Sequence, residues 1–248
     1  MTALELTDVV VDYERRGGGR VRAVAGASIS VERGQIVGLV GESGCGKSTF
    51  ARAAVGLVRM TSGSVVFEGR EIVPLARRGR PRDLARLQLV FQNPYASLNP
   101  RRKVGSQLAD ALETLDLVPV AGRPDRVREL CELVGLPPTA ADRFPHEFSG
   151  GQRQRIAIAR ALAADPSVIV LDEPLASLDA SAQAQLANLL VSLSRELGLG
   201  LLLISHDLAI VHHVADAVSV MYLGRMVETG ATSRLWEQPL HPYSESLI

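Results

Sequence analysis

The sequence predicts an α/β protein with a largely parallel central sheet, and three observations support this prediction. Short apolar runs at residues 35–40, 167–171 and 201–204 have the length of buried strands. Segments with helical periodicity alternate with these runs, which is typical of a parallel sheet with crossover helices. The chain has 248 residues, of which 46% are hydrophobic. A chain of this length can bury a sizeable core, so we expect one domain over residues 1–248.

The amino-terminal part predicts a second, smaller sheet. Residues 4–13, 21–31 and 64–67 alternate or pair around turn signals, among them the glycine triplet at residues 17–19. Alternation of this kind, interrupted by tight turns, is typical of antiparallel strands. We therefore expect a small antiparallel β subdomain beside the parallel sheet.

The middle of the chain predicts an inserted helical subdomain over residues 93–164, where helical periodicity is broken by several prolines. Residues 1–92 and 165–248 then form the core that carries the β subdomain. Within the second of these ranges, a hairpin is expected over residues 218–227.

Composition and charge exclude several classes of protein. The 27 basic and 27 acidic residues give zero formal net charge, so we expect no nucleic-acid partner. No apolar stretch approaches the roughly 18 residues that span a bilayer, and no secretory signal is visible. The cysteines, Cys45 and Cys131, have neither a metal-binding spacing nor a disulfide framework, which suits a reducing cytosol. Any membrane role must therefore come through a partner.

Residues 41–48 read G-E-S-G-C-G-K-S and match the pattern G-x-x-x-x-G-K-[ST], between an apolar strand and a helix expected over residues 48–58. Backbone N–H groups of such a loop, together with the helix amino terminus, bind polyphosphates. We expect Lys47 to reach the β- and γ-phosphates and the Ser48 hydroxyl to bind Mg²⁺. The predicted nucleotide contacts here are Gly41, Ser43, Gly44, Cys45, Gly46, Lys47, Ser48 and Thr49. Kinases, GTPases and motors share this loop, so the reaction stays open at this point.

Cys45 carries a separate hypothesis because it lies in this loop beside a helix amino terminus, a position that tends to lower the pKa of a thiol. We therefore expect a thiol-alkylating reagent to block ATP binding and ATP to protect the thiol. The alternative is that Cys45 is a small spacer without special reactivity.

The apolar run at residues 168–171 ends in two acids, Asp172 and Glu173. An acid at the end of such a strand supplies the second half of a nucleotide site. Asp172 is expected to hold Mg²⁺ through water, and Glu173 to orient or deprotonate the attacking water. Two adjacent carboxylates can also simply cap a strand at the surface.

Residues 148–152, F-S-G-G-Q, precede a helix expected over residues 153–164 and resemble the signature of the ATP-binding cassette (ABC) family, usually L-S-G-G-Q. Phe148 replaces the usual leucine. The resemblance implies a P-loop NTPase core of the ABC ATPase type. It also implies that two cassettes pair head to tail, with each ATP between the phosphate loop of one chain and the signature of the other. The predicted signature contacts are Ser149, Gly150, Gly151 and Gln152.

Other residues resemble family elements in the expected order. Tyr13 resembles the aromatic that stacks on adenine, and Gln92 the glutamine that touches Mg²⁺ and the attacking water. Asp179 lies in the segment that crosses to the other subunit's site, and His206 matches the histidine that contacts the γ-phosphate. Leu175 departs from the threonine often found after Asp-Glu-Pro. The resemblance thus implies a catalytic set of Glu173, His206, Gln92 and Lys47, and a metal set of Ser48, Gln92 and Asp172.

Two further segments are similar to peptide and nickel importer ATPases: residues 91–100, F-Q-N-P-Y-A-S-L-N-P, and residues 241–243, H-P-Y. In that group the helical lobe forms a groove for a coupling helix of a membrane-spanning partner. Tyr95, Ser97 and Leu98 are therefore candidates for a docking surface, with ordinary lobe packing as the alternative. Longer members continue into a cysteine cluster, and we expect no iron–sulfur cluster here.

The resemblance implies an ATP-hydrolysing subunit that powers import of peptides, or of nickel or a related solute, with ATP and Mg²⁺ as cofactors. The expected partners are a second ABC ATPase subunit, identical or related, two membrane-spanning permease subunits and, indirectly, a solute-binding protein. The expected location is cytoplasmic, peripheral on the inner face of the cell membrane. A soluble ABC ATPase that remodels ribosomes or nucleic acid is the alternative. A regulatory module that barely hydrolyses ATP is a third reading, against which the presence of Glu173 and His206 argues.

Overall fold

The computed structural model describes residues 2–15, 17–73, 81–93 and 97–248, without the side chain of Asp83. The strands are β1 (Thr2–Glu14), β2 (Arg20–Glu32), β3 (Ile36–Val40), β4 (Ser62–Phe67), β5 (Arg70–Glu71), β6 (Leu87–Val90), β7 (Val168–Asp172), β8 (Gly200–Ile204), β9 (Ala217–Tyr222) and β10 (Arg225–Ala231). The α-helices bounded in this part of the chain are α1 (Lys47–Ala54), α2 (Val104–Leu115), α3 (Arg123–Leu133), α4 (Gly150–Leu162), α5 (Ala180–Leu197), α6 (Leu208–Val214), α7 (Thr232–Glu237) and α8 (Pro242–Leu247).

The larger sheet has six strands in the order β10-β9-β3-β8-β7-β6. All neighbours from β9 to β6 are parallel, and β10 pairs antiparallel with β9. Every residue of β3, β7 and β8 is buried, which explains their continuous apolar sequences. These strands and the β9–β10 hairpin confirm the predicted elements. Strand β6 lacks such a run, because the polar Gln88 lies in its middle.

The smaller sheet is antiparallel, with the order β2-β1-β4-β5, and confirms the predicted β subdomain. Strands β1 and β2 have 13 residues each and pair along most of their length. Glycines 17–19 all have positive φ, which only glycine adopts readily, so the triplet can turn the chain between these two long strands.

Helix α1 lies in the core between the two sheets. Its Phe50 is fully buried, in one apolar cluster with Leu4 of β1 and Leu39 of β3. Alternate residues of each parallel strand point to opposite faces, so Ile36 of the same strand joins a second cluster on the other face. That second cluster also contains Leu108 of α2 and other residues of the helical part. The parallel sheet is therefore covered on both faces, and its strand ends are left to form a site.

The helix bounds differ slightly from the prediction. Helix α1 ends at Ala54 rather than near residue 58, because Gly56 has a φ of 75° and donates its N–H to Ala53. Helix α4 begins at Gly150 and ends at Leu162. The limits of the proposed helical subdomain, residues 93–164, stay a prediction. No helix in the described ranges is long and apolar enough to cross a membrane.

Candidate nucleotide-binding site

The predicted site residues converge because they follow neighbouring parallel strands. The phosphate loop, residues 41–46, follows β3, and His206 lies two residues after β8. Asp172 ends β7 with Glu173 next to it, and Gln92 lies two residues after β6. Strands β3, β8, β7 and β6 are successive neighbours in one sheet, so these residues share its carboxyl edge. Ligands of α/β proteins bind at this edge.

The shape of the phosphate loop depends on two glycines. Gly41 has a φ of 148° and Gly46 a φ of 114°, values that other residues rarely adopt. A Cβ at Gly41 would overlap the backbone oxygen of Met221, and one at Gly46 would overlap that of Ala23. Neighbouring backbone therefore fixes the loop from outside, and helix α1 begins directly after it, at Lys47.

Lys47 is buried, with 4% of its surface exposed. Its Nζ donates hydrogen bonds to the backbone oxygens of Gly41, at 2.7 Å, and Glu42, at 2.8 Å. These oxygens are neutral, so the described hydrogen bonds satisfy the ammonium without neutralising it. A buried cation is stabilised by an anionic partner, and the loop amides and helix start suit a phosphate group.

Ser48 and Asp172 join the loop to strand β7. The Ser48 hydroxyl donates to Asp172 Oδ1 at 2.8 Å. Burial raises the pKa of the Asp172 carboxyl, and the hydrogen bond from Ser48 opposes that rise. A hydroxyl and a carboxylate are hard oxygen ligands of the kind that Mg²⁺ takes, usually together with water and substrate phosphates. The donor set at this position therefore fits the predicted ion.

Two side chains, those of Gln92 and His206, meet at the carboxylate of Glu173. Its Oε2 accepts a hydrogen bond from Gln92 Nε2 at 3.1 Å and lies 3.3 Å from His206 Nδ1. The backbone of Glu173 has a φ of 48°, in the left-handed region, and its N–H donates to Ile204 of β8. Such a backbone is costly for a side chain that is not glycine and is concentrated at functional sites. The carboxylate is 17% exposed and the imidazole 56% exposed, so a water or a phosphate can reach both.

The signature segment forms the amino terminus of helix α4. Ser149 is its N-cap residue, and its Oγ accepts from the N–H of Gln152 at 3.3 Å. The Gln152 side chain in turn accepts from the N–H of Ser149 at 3.0 Å, a capping box. A Cβ at Gly150 would meet only Leu178, at 3.6 Å, so this face is open. Phe148 is buried beneath Arg143, whose guanidinium carbon lies 4.4 Å from the ring centroid.

Three further predicted contacts lie at the surface. Tyr13 is 42% exposed near the end of β1, where it pairs with Val21 of β2. Asp179 is exposed and caps α5 by accepting from the N–H of Ala182 at 2.8 Å. Ser43 is exposed in the loop. The contacts of Tyr13 and Asp179 with a nucleotide stay predictions.

The hypothesis that Cys45 has a lowered pKa is wrong in direction. Cys45 is only 7% exposed, and this burial raises the pKa of its thiol. The ammonium of Lys47 opposes the rise but is the smaller effect. Desolvation disfavours the thiolate, and here it outweighs the Lys47 ammonium and the backbone hydrogen bonds that lower the pKa of the thiol.

The prediction that Tyr95, Ser97 and Leu98 form a docking surface is wrong for Leu98. Leu98 is 4% exposed and packs in the core, so it cannot present its side chain to a partner. Ser97 is half-buried, and its backbone oxygen accepts a hydrogen bond from Arg160 of α4. Tyr95 lies outside the described residues. A cleft of about 740 Å³ does open beside Ser97, lined also by Gln107 and Thr114 of α2.

Two contacts of the phosphate loop were missed from the sequence. The N–H of Glu42 donates to the Tyr243 hydroxyl at 3.0 Å, and the N–H of Gly224 donates to the Cys45 oxygen at 2.8 Å. Both partners are separated from the loop by about 180 to 200 residues, so no local sequence pattern reveals these contacts. The H-P-Y motif at residues 241–243 was the one available signal, and its role was not assigned.

Residues 24–176 match the family model described as ABC transporter. The chain belongs to the ABC transporter family. The match includes the phosphate loop, the signature segment and the Asp172–Glu173 pair, so it covers much of the site described above. The chain is accordingly an ABC ATPase that binds ATP.

Several relatives are similar over the whole chain. The oligopeptide transport ATP-binding protein AppF of Bacillus subtilis is 45% identical over 100% of this chain and 77% of its own length. The oligopeptide transport ATP-binding protein OppF of Escherichia coli is 45% identical over 99% of this chain and 76% of its own length.

Solved structures agree with the fold. CbiO1 of Clostridium perfringens, described as part of the ABC transporter complex CbiONQ, has a TM-score of 0.83 at 28% identity. That comparison covers 96% of this chain and 91% of the other. The ATP-binding cassette MJ0796, dimeric and bound to ADP and phosphate, has a TM-score of 0.80 at 25% identity. That comparison covers 92% of this chain and 98% of the MJ0796 chain.

Proposed function

We propose that this chain is the ATP-hydrolysing subunit of an ABC importer of peptides. The convergence of Gln92 and His206 on the Glu173 carboxylate supports hydrolysis rather than binding alone. The naming of AppF and OppF as oligopeptide transport proteins supports peptides over nickel as the solute class.

The phosphate loop binds the nucleotide in this proposal. Amides of residues 41–46 and the start of α1 face the phosphates, and Lys47 moves its hydrogen bonds from the loop oxygens to the β- and γ-phosphates. Ser43, Gly44 and Thr49 complete the contacts, and Tyr13 stacks on the adenine. Positioning and charge stabilisation are the main requirements of phosphoryl transfer, and these residues supply both.

Ser48, Asp172 and Gln92 would hold Mg²⁺, because they place hydroxyl, carboxylate and amide oxygens at the same sheet edge. When bound, the ion neutralises negative charge on the phosphate oxygens.

Glu173 positions and deprotonates the attacking water. The water oxygen forms a bond to the γ-phosphorus, the bond from that phosphorus to the ADP oxygen breaks, and the water proton passes to the Glu173 carboxylate. Gln92 holds that carboxylate through its Nε2 donor at 3.1 Å. His206, which is largely exposed, contacts the γ-phosphate and so links its position to that of Glu173.

A second cassette completes the site. Ser149, Gly150, Gly151 and Gln152 present an open helix amino terminus, which favours a phosphate group. Asp179 lies in the same neighbourhood, because Leu178 packs beside Gly150. The dimeric MJ0796 structure supports a paired arrangement. Whether the second chain is identical or related stays open.

Coupling to the membrane uses the cleft beside Ser97 and α2 in this proposal. The cleft is bordered by Arg160 of α4, the helix that begins with the signature segment. A permease helix seated there would therefore touch an element that also reaches the nucleotide. The subunit then lies on the inner face of the cell membrane, with two permeases and, indirectly, a solute-binding protein as partners.

The decisive experiment captures the tagged chain from detergent-solubilised membranes of its host and identifies the bound proteins. We expect two multi-spanning subunits and a second cassette. The Glu173→Gln variant is the matched control, because it should assemble equally well but fail to drive uptake of a labelled oligopeptide in membrane vesicles. Recovery of ribosomal or other soluble partners instead would overturn the transport assignment and leave the ATPase chemistry standing.

A further inference from the structure

The last described helix, α8, contacts the phosphate loop, and no residue of this helix takes part in the proposed ATP hydrolysis. The hydroxyl oxygen of Tyr243, in its first turn, accepts a hydrogen bond from the N–H of Glu42 at 3.0 Å. Glu42 is the second residue of the loop. A residue from the carboxyl end of the chain thus contacts the backbone that surrounds the phosphates.

Tyr243 is itself held firmly in place. Its ring packs against Tyr222 at the end of β9, with centroids 4.4 Å apart. His241 caps α8 by accepting the Tyr243 N–H at 3.1 Å. The carboxylate of Glu228, on β10, accepts from the N–H groups of Leu240, at 2.9 Å, and His241, at 3.1 Å. The H-P-Y motif is therefore anchored to the β9–β10 hairpin, which belongs to the parallel sheet.

Hydrogen bonds from the carboxyl-terminal part of the chain hold the loop at two points. Glu42 is held on both sides, by Tyr243 at its N–H and by Lys47 Nζ at its carbonyl, at 2.8 Å. A second hydrogen bond from the hairpin, Gly224 N–H to Cys45 oxygen, fixes the loop three residues later. Between these two points Gly44 is exposed, and a Cβ there would touch nothing within 4 Å. The shape of this stretch therefore depends on its two anchored ends and on the hydrogen bond from the Cys45 N–H to the Glu42 oxygen at 3.3 Å.

We propose that Tyr243 is a positioning residue for the nucleotide site. Its hydroxyl holds the Glu42 amide, and through it the first turn of the phosphate loop, in the shape that binds phosphate. Tyr243 acts through the loop backbone rather than by touching the reacting atoms. Because Glu42 is exposed, water can replace the hydroxyl partly, so the expected effect is moderate.

The test compares Tyr243→Phe with the matched control Tyr222→Phe. The first variant keeps the ring and removes only the oxygen that accepts from Glu42. The second removes a hydroxyl that makes no hydrogen bond among the described residues, from the ring packed against Tyr243. We expect Tyr243→Phe to weaken binding of a non-hydrolysable ATP analogue and to raise the KM for ATP by about three- to tenfold. The kcat should stay within about twofold, because Glu173, Gln92 and His206 are untouched.

A second readout reports on the contact directly. Amide hydrogen exchange at Glu42, measured without nucleotide, should be faster in Tyr243→Phe than in the wild-type protein or in Tyr222→Phe. Wild-type affinity and exchange in Tyr243→Phe would overturn the proposal, and so would an equal loss of affinity in Tyr222→Phe. These measurements concern nucleotide binding by the purified chain, so they stand whether or not the peptide-import proposal holds.

Discussion

The phosphate loop and the signature segment are both glycine-rich starts of helices, but they are built in opposite ways. In the loop, Gly41 and Gly46 have positive φ and are pressed against the backbone of Met221 and Ala23. In the signature segment, Gly150 lies inside α4 with ordinary backbone angles and open space around it.

The two segments also differ in how they satisfy their polar groups. Lys47 is buried, and its ammonium contacts backbone oxygens of its own loop. Ser149 and Gln152 are exposed and cap their own helix in a reciprocal pair. The phosphate loop is therefore shaped by contacts within its own chain, whereas the signature segment leaves its helix amino terminus open.

The largest expected effect concerns Glu173, which lies at the same sheet edge as the phosphate loop, and tests whether this edge carries out ATP hydrolysis. We expect Glu173→Gln to lower steady-state ATP hydrolysis at least about 100-fold, because the amide cannot take the water proton. ATP affinity should change less than about twofold, and ATP-dependent dimers should accumulate in size-exclusion chromatography. Glu196→Gln, at an exposed position in α5, is the control and should hydrolyse normally. An unchanged rate in Glu173→Gln would remove Glu173 from its proposed role.

The next prediction compares one glycine from each segment. Gly46→Ala forces a Cβ onto the Ala23 oxygen at a φ of 114°, so we expect ATP binding to be lost. The free energy of unfolding should fall by about 1–3 kcal/mol from backbone strain. Gly150→Ala should leave ATP binding by the isolated chain unchanged and alter stability by less than about 0.5 kcal/mol. Calorimetric titration and denaturant unfolding measure both, and equal effects of the two variants would break the comparison.

A smaller effect is expected from the helix cap. Ser149→Ala removes the oxygen that accepts from Gln152, so α4 should lose about 1 kcal/mol of stability. Nucleotide affinity of the isolated chain should not change, because the phosphate loop lies on a different helix. Ser181→Ala, in the exposed first turn of α5, serves as the control in the same unfolding experiment. A drop in ATP affinity with Ser149→Ala alone would show that the two segments are coupled within one chain.

The smallest expected effect concerns the thiol in the loop. Burial raises the pKa of Cys45, so at neutral pH its alkylation should be several-fold slower in the folded protein than in the unfolded chain. The rate should rise with pH as the thiolate forms. A Cys131→Ala background leaves Cys45 as the single thiol for mass spectrometry. Faster alkylation in the folded protein than in the unfolded chain at pH 7 would instead support the original hypothesis that the pKa of the Cys45 thiol is lowered.

Much of the fold was predictable because its signals are local. Strands β3, β7 and β8 are continuous apolar runs, as strands covered on both faces must be. Strand β6 has only four residues, and a glutamine interrupts its apolar sequence, so no strand pattern can be recognised there. The site residues were predictable for a related reason, since the glycine loop and the acidic strand end are short motifs with their own chemistry.

The missed features depend on packing between distant parts of the chain. Leu98 reads as a surface residue from its polar, proline-rich neighbours, but the folded lobe buries it. Cys45 lies beside a helix start, as the sequence indicates, yet its burial was not visible there. The hydrogen bond from the Glu42 N–H to the Tyr243 hydroxyl joins residues 201 positions apart, so no local sequence pattern predicts it.

The hydrogen bonds of Lys47 have a consequence for the turnover of this ATPase. When a nucleotide leaves, the ammonium can return to the oxygens of Gly41 and Glu42, so release does not leave a buried cation without partners. If Lys47 binds the phosphates as proposed, the same oxygens compete with them for the ammonium and reduce the free energy gained on nucleotide binding. In the proposed ATP cycle, the loop thus carries its own weak competitor for the Lys47 ammonium, which would favour release of the product.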